Sequence, residues 1–228
     1  MPNYVANTLK MKDITKLPLF TEQDGKKCFD FNKVIPMPEA LNIESSSRAE
    51  WAIVYYLTKR CVIPVGCLMG DDKKIADATV HNQFSRNWLQ EVYTRTQKWA
   101  YNAPESQKDK LFEDGKQYVD NYKQYGATSW YEWCIENWGT KWNAGSNGQI
   151  DDDTIVFKTA WSMPEPVIMK LSQMYPDREI DIMFADEGRG SNTGHIVYQN
   201  GQVIRGGYNE NGSEDALTAY NECWSMSV

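Results

Sequence analysis

The spacing of hydrophobic residues changes twice along this 228-residue chain, and that change limits the folds open to it. Residues 4–11 alternate between two faces in the manner of a β-strand. Residues 45–125 instead repeat their apolar positions at three and four, which is typical of helices. A period of two returns at residues 155–161 and 179–185. The sequence therefore predicts an α+β protein with strands from both ends of the chain.

The order of these segments predicts how the chain is divided. Strand, helix, strand, helix, strand and a hairpin at Asn200-Gly201 fit an antiparallel sheet with helices on one face. The sheet domain would comprise residues 1–44 and 126–228, and residues 45–125 would be a helical insertion within it. We expect the first strand to pair with a strand from the C-terminal half.

Helix ends are marked by capping signals. The pattern Ser-x-x-Glu, whose two side chains satisfy backbone N–H groups reciprocally, occurs at 47–50, 129–132 and 162–165. Gly126 and Gly139 stand where a left-handed residue would end a helix. These signals predict helices starting near the three serines and ending at the two glycines.

The cysteine and hydropathy patterns indicate the cellular compartment of the protein. Its five cysteines are widely spaced and form no Cys-x-x-Cys pair, which favours reduced thiols over a disulfide framework. The start of the chain lacks an apolar segment behind a basic one, so we expect no signal peptide. No apolar run is long enough to span a bilayer, and we expect a cytoplasmic protein with no membrane partner.

The charge is spread unevenly. Residues 45–125 contain twelve basic and ten acidic side chains, whereas residues 126–228 contain six basic and fifteen acidic ones. The C-terminal part should therefore repel nucleic acid at long range and suit a basic protein partner. The alternative is that the acidic side chains serve only solubility.

Four segments resemble a known family. They are PNYV at 2–5, FDFNKVIPMP at 29–38, WYEWCIENWGTKWN at 130–143 and TAWSMP at 159–164. Together they resemble the phage- and plasmid-borne YubB-like proteins with a ferredoxin-like domain, over roughly 1–44 and 126–208. The resemblance implies a ferredoxin-like sheet and a mobile element of a bacterial host, but no established activity, and the name describes a fold, not an iron–sulfur cluster.

The NWGTKWN block is the most distinctive part of that resemblance. Indole rings stack on flat ligands or anchor protein partners, while amide and ammonium groups orient what is bound. The candidate binding residues are therefore Asn137, Trp138, Lys141, Trp142 and Asn143. The alternative is that both Trp side chains pack the helix onto the sheet. Since Trp138 precedes the helix stop, we expect it to be buried. If Trp142 is a recognition residue it should be exposed, whereas strand pairing after Gly139 would bury it.

A second interpretation is a single-stranded nucleic-acid-binding protein that uses aromatic stacking. Such binding needs basic residues among aromatic ones, and only the helical insertion offers both. The candidate residues are Lys59, Arg60, Arg86, Trp88, Arg95, Lys98 and Trp99. Because the net charge of the chain is −7, we expect any such binding to be weak and salt-sensitive.

Catalytic and metal-binding patterns are sparse. The two histidines, His81 and His195, are too few and too far apart to predict a metal site. Cys67 could in principle meet His81, but no local feature marks either as activated. We therefore expect no catalytic residue, no metal and no cofactor.

Three functions follow in order of preference. The first is a non-enzymatic accessory protein of a phage or plasmid that binds a host macromolecule, in the first place a host protein, with inhibition of a host defence complex as one version. The second is the single-stranded nucleic-acid-binding protein, and the third is an enzyme on a small substrate. The sequence predicts neither the identity of the partner nor the oligomeric state.

Overall fold

A computed structural model describes residues 3–23, 25–80 and 84–226 of the chain. The chain divides into two compact units. The sheet unit comprises Met1–Met37 and Cys134–Val228, and the helical unit comprises Pro38–Trp133.

The sheet unit is built on six antiparallel strands in the order β4-β5-β1-β6-β7-β8, with β2 and β3 forming a separate hairpin. The strands are β1 (Tyr4–Lys10), β2 (Phe20–Gln23), β3 (Lys26–Phe29), β4 (Gly145–Gln149), β5 (Thr154–Ala160), β6 (Ile180–Asp186), β7 (Thr193–Gln199) and β8 (Gln202–Tyr208). The helices of this unit are α6 (Glu165–Met174) and α7 (Glu214–Met226), together with the end of α5 (Trp130–Trp138). The expected α+β class and antiparallel sheet are confirmed.

Strand β1 lies in the middle of this sheet. It pairs with β5 on one side and β6 on the other, so the pairing expected for the first strand is confirmed. Its residues alternate between faces. Val5 and Leu9 face one side with Phe184, whereas Ala6 faces the other with Ala185.

Helices cover both faces of the sheet. On the side of Phe184, the hydroxyl of Tyr198 donates to Glu165 Oε1 of α6 at 2.9 Å. Burial, reinforced by that carboxylate, raises the pKa of Tyr198. On the other side, Cys223 of α7 packs against Ala6 and Ala185. The prediction that the helices lie on one face is corrected here: α7 lies on the face opposite to α6, where the small side chains of Ala6 and Ala185 allow close approach.

The hairpin predicted at Asn200-Gly201 joins β7 and β8. Both residues have positive φ angles, 49° and 75°, as a two-residue hairpin turn with matching twist requires. The amide of Gly201 also donates to Ser172 Oγ of α6 at 2.8 Å. The turn residues and the contact with α6 therefore both favour the observed register of β7 against β8.

The helical unit contains α1 (Ser47–Leu57), α2 (Gly70–Thr79), α3 (Trp88–Asn102) and α4 (Glu105–Tyr125), and also the start of α5. Helix α4 ends at Gly126, which has φ 76°, as the sequence predicts. Its Gly115 lies against α1, where an added Cβ would stand only 2.0 Å from the carbonyl oxygen of Ala52. None of the helices in the described ranges is long and apolar enough to cross a membrane.

Two of the three predicted capping boxes are wrong in detail. The box at 129–132 is confirmed, since Ser129 donates through its amide and hydroxyl to Glu132 Oε2. Helix α1 is capped one residue earlier than expected, because Ser46 Oγ accepts from the amide of Arg48. Ser162 caps no helix, since its hydroxyl donates to the carbonyl oxygen of Gly139 instead.

The cysteines are free thiols with unequal access. Burial raises the pKa values of Cys134 and Cys223 to about 12, whereas Cys67 is exposed. Since the thiolate is the reactive form, iodoacetamide should modify native protein at Cys67 first and reach Cys134 and Cys223 only in denaturant. Peptide mass spectrometry over time would measure this order. Equal native rates for Cys67 and Cys223 would contradict the burial of α7 on the sheet.

Candidate functional site

The segment that follows α5 runs beside the end of β5. Gly139 ends the helix with φ 73°, as the sequence predicts. The buried hydroxyl of Thr140 then donates to the carbonyl oxygen of Ala160 at 2.8 Å and accepts from its amide at 3.0 Å. The Thr140 hydroxyl thus makes the two hydrogen bonds that the backbone of a neighbouring strand would make to Ala160. These bonds hold the segment after α5 beside the end of β5.

Asn143 fixes the other end of this segment. Its Oδ1 accepts from the amide of Phe31 at 2.8 Å, and its Nδ2 donates to Asp30 Oδ1 at 2.7 Å. Lys141 and Trp142 lie between the two fixed points, and 37% of Trp142 is exposed. The exposure predicted for Trp142 is thus confirmed, while the amide of Asn143 is used within the fold.

Trp138 has the structural position that the sequence predicts. It is 3% exposed, and its Nε1 donates to the carbonyl oxygen of Ile35 at 2.9 Å. Its ring meets that of Phe31 edge to face, with centroids 5.7 Å apart. Asn137, next to it on α5, is half-buried. The two Trp of the block therefore differ in access, and Trp142 is the one that a partner can reach.

Trp161 adds a second exposed indole that the candidate set does not contain. It is 41% exposed and has φ 72°, a left-handed conformation that bulky residues rarely adopt. Its amide donates to Asn3 O at 2.9 Å, and its carbonyl oxygen accepts from Asn192 Nδ2 at 3.1 Å. Such a backbone costs about 1–3 kcal/mol and persists where the surroundings enforce it, which occurs often at functional sites.

Lys141 stands between the two indoles. Its Nζ lies 4.8 Å from the ring centroid of Trp142 and 5.3 Å from that of Trp161. Cation–π attraction at these distances favours keeping both rings beside the same ammonium group. We call Trp142 and Trp161, with Lys141 between them, the indole pair. The TAWSMP motif contained Trp161, but nothing in its spacing marked the side chain as exposed.

The seven residues proposed for nucleic-acid binding divide between different surroundings. Arg60 is engaged in ion pairs with Glu105 at 2.9 Å and Asp109 at 2.6 Å. Trp88 is half-buried and donates through Nε1 to Glu50 Oε1 at 3.0 Å. Lys59 and Arg86 are exposed and do not line the groove between α1, α3 and α4.

The remaining three residues of that set line one groove. Arg95, Lys98 and Trp99 of α3 meet Trp51 of α1 across a groove of about 640 Å³. Arg95 also stands over the ring of Trp88, with its guanidinium carbon 5.0 Å from the centroid. Sequence spacing alone could not predict Trp51, because its contact with α3 depends on how α1 and α3 pack.

His195 Nε2 lies 2.8 Å from Asp181 Oδ1 on the sheet, and both side chains are partly exposed. His81 lies outside the described residues, so its proposed meeting with Cys67 is not described. Within the described part of the chain, no group of three or more His, Cys, Asp and Glu side chains could hold a metal ion.

Part of the sheet unit is similar to a known domain. Residues 137–226 match the family model described as the ferredoxin-like domain in Api92-like protein, which confirms the expected ferredoxin-like domain. The crystal structure of a protein Api92 from Yersinia pseudotuberculosis aligns with 93% of this chain and 100% of its own, at 12% identity and a TM-score of 0.37. No curated protein matches the chain.

Proposed function

We propose that the chain is a non-enzymatic accessory protein of a phage or plasmid that binds a host protein through the indole pair. The observation that carries this proposal is that Trp142 and Trp161 are both exposed beside one ammonium group, with Trp161 held at φ 72°. The resemblance to YubB-like proteins supports the mobile-element origin, and with it a site of action in the cytoplasm of a bacterial host.

Exposed indoles suit a protein partner. Trp is enriched among the few interface residues that supply most of the binding free energy, because its large rigid surface loses little conformational entropy on binding. The segment tied down by Thr140 and Asn143 presents Trp142 on a fixed backbone. The ordering cost at the interface is therefore small.

The charge of the sheet unit favours a basic partner. Its residues, 1–37 and 134–228, contain eighteen acidic and twelve basic side chains, so their summed field attracts positively charged surfaces and accelerates encounter. One version of the proposal is a defence complex whose nucleic-acid-binding surface is basic. The acidic sheet unit would occupy that surface in place of nucleic acid.

Two variants test the indole pair. Trp142→Ala and Trp161→Gly should each weaken partner binding at least about thirtyfold, the loss of roughly 2 kcal/mol typical of a hot spot. Stability should change by no more than about 1 kcal/mol, since glycine also relieves the left-handed backbone at residue 161. Affinity purification from the host would identify proteins lost with both variants, and titration of the purified candidate would give the Kd.

The matched control is Tyr101→Ala, which removes an 88% exposed aromatic side chain from the helical unit. It should leave the recovered proteins and the Kd unchanged. A host protein that binds both indole variants as tightly as the parent would exclude the indole pair as the binding site. Equal losses with Tyr101→Ala would show general stickiness of exposed aromatic residues instead.

A further inference from the structure

The groove between α1, α3 and α4 is unusual in this acidic chain because none of the described residues that line it is acidic. The chain has 31 Asp and Glu residues, yet the groove presents only aromatic, basic, amide and small groups. The lining residues are Trp51, Arg95, Lys98, Trp99, Asn102, Ala103, Pro104 and Gln107. Its electrostatic character is thus opposite to that of the protein as a whole.

One stripe of α3 supplies half of this lining. Arg95, Lys98, Trp99 and Asn102 stand at positions i, i+3, i+4 and i+7, so their side chains share one face of the helix. Their order places a cation, a cation, an indole and an amide along a continuous line. The stripe is exposed at Lys98 and Arg95, and half-buried at Trp99.

Arg95 and Lys98 are not neutralised by a strong ion pair with any described residue, so both can contact an anionic ligand. Of the described residues, no carboxylate lies within ion-pair distance of Lys98. Arg95 forms a loose ion pair with Glu91 at 3.7 Å, in which both partners are about half exposed, and stands over the ring of Trp88. A surface pair of this kind contributes little free energy, so an anion can compete for Arg95.

The indoles supply a supported apolar wall. Trp51 and Trp99 are both half-buried, and the ring of Trp99 meets that of Tyr55 edge to face at 6.2 Å. The guanidinium of Arg48 stands 5.7 Å from the Trp99 centroid. The ring of Trp99 is therefore held in place before any ligand arrives, which lowers the cost of binding.

We propose that this groove binds single-stranded nucleic acid. Bases would pack against Trp51 and Trp99, the phosphates would contact Arg95 and Lys98, and the amides of Asn102 and Gln107 would hydrogen-bond base edges. A duplex does not fit this chemistry, because its bases are already stacked on one another. The inference is independent of the indole pair, which lies in the other unit.

The charge of the groove determines the expected affinity for nucleic acid and its dependence on salt. Since the groove is lined by two cations, Arg95 and Lys98, and the chain has a net charge of −7, binding is weak and falls steeply as salt rises. For single strands the logarithm of the binding constant falls with the logarithm of salt by about 0.7 per neutralised phosphate. Removing both cations should therefore reduce the magnitude of that slope by about 1.4.

The first experiment is fluorescence anisotropy with a labelled thymidine oligomer of about 15 nucleotides, titrated at several salt concentrations. The double variant Arg95→Ala/Lys98→Ala should bind at least about tenfold more weakly than the parent at low salt, with the shallower slope. Lys74→Ala is the matched control, since it removes an 82% exposed cation of the same unit outside the groove. Equal losses with Lys74→Ala would overturn the site.

A second variant separates stacking from charge. Trp51→Leu keeps an apolar side chain in α1 but removes the ring, so affinity should fall about tenfold with the salt slope unchanged. Circular dichroism melting verifies that the variant is folded. No binding by the parent at low salt, equal binding of a duplex, or competition by thymidine monophosphate as strong as by the oligomer would each overturn the proposal.

Discussion

Trp138→Ala should lower the free energy of unfolding by about 3–5 kcal/mol, the range for emptying a buried aromatic site. The indole is 3% exposed and contacts the ring of Phe31 edge to face. Its loss leaves a cavity and also removes the N–H group that donates a hydrogen bond to the carbonyl oxygen of Ile35. Both effects weaken the contact between the end of α5 and residues 31–35 within the sheet unit.

Two matched variants separate the contributions. Trp138→Phe keeps most of the apolar volume but lacks the N–H group, so its cost should be about 1–3 kcal/mol. Trp142→Ala removes the same side chain from an exposed position and should cost almost nothing. Urea denaturation, combined with hydrogen exchange of the β1 amides, assigns the change to the sheet unit. Equal costs for Trp138→Ala and Trp142→Ala would contradict the arrangement of the block.

Gly115→Ala should destabilise the helical unit by about 3 kcal/mol, although the same change in an open helix stabilises by roughly 1 kcal/mol. The added Cβ would meet the carbonyl oxygen of Ala52 at 2.0 Å and the Cβ of Tyr56 at 2.8 Å. A backbone oxygen cannot rotate away, so α1 and α4 would have to separate. That separation would open the core around Leu111 and Val119.

Gly66→Ala is the control for this prediction. An added Cβ there has open space, and Gly66 does not have a positive φ. Its stability should be unchanged or slightly higher, because alanine reduces the freedom of the unfolded chain. Hydrogen exchange of the α1 and α4 amides gives the comparison. Unchanged protection of these amides in Gly115→Ala would contradict the close contact between α1 and α4 at Gly115.

The strongly periodic segments were predictable from sequence. Strands β1, β5 and β6 have a period of two in sequence, although β1 and β5 are buried on both faces in the structure. The dipeptide Asn200-Gly201 is the residue pair that a two-residue hairpin turn with positive φ angles favours. Three elements were missed, namely α2, β4 and the four-residue strand β2. Helix α2 is largely polar and buries only Ile75 and Ala76, and β4 has the sequence GSNGQ, whose pairing depends on its neighbour β5.

The site was predictable only in part. The NWGTKWN block pointed to Trp142, but the exposure of Trp161 depends on a left-handed backbone that its side chain disfavours, so no propensity could indicate it. Likewise, composition cannot separate Lys98 from Arg60. The difference lies in Glu105 and Asp109, which reach Arg60 only after α4 has packed nearby.

The position of β1 in the sheet has a consequence for synthesis. This strand is translated before the helical unit, but its partners β5 and β6 are translated only after the whole of that unit. Until then its two edges carry unpaired N–H and C=O groups, which other extended chains can bind. Pairing across so long a stretch of sequence is also slow. The nascent chain should therefore depend on chaperones that shield residues 4–10 until β6 has been made.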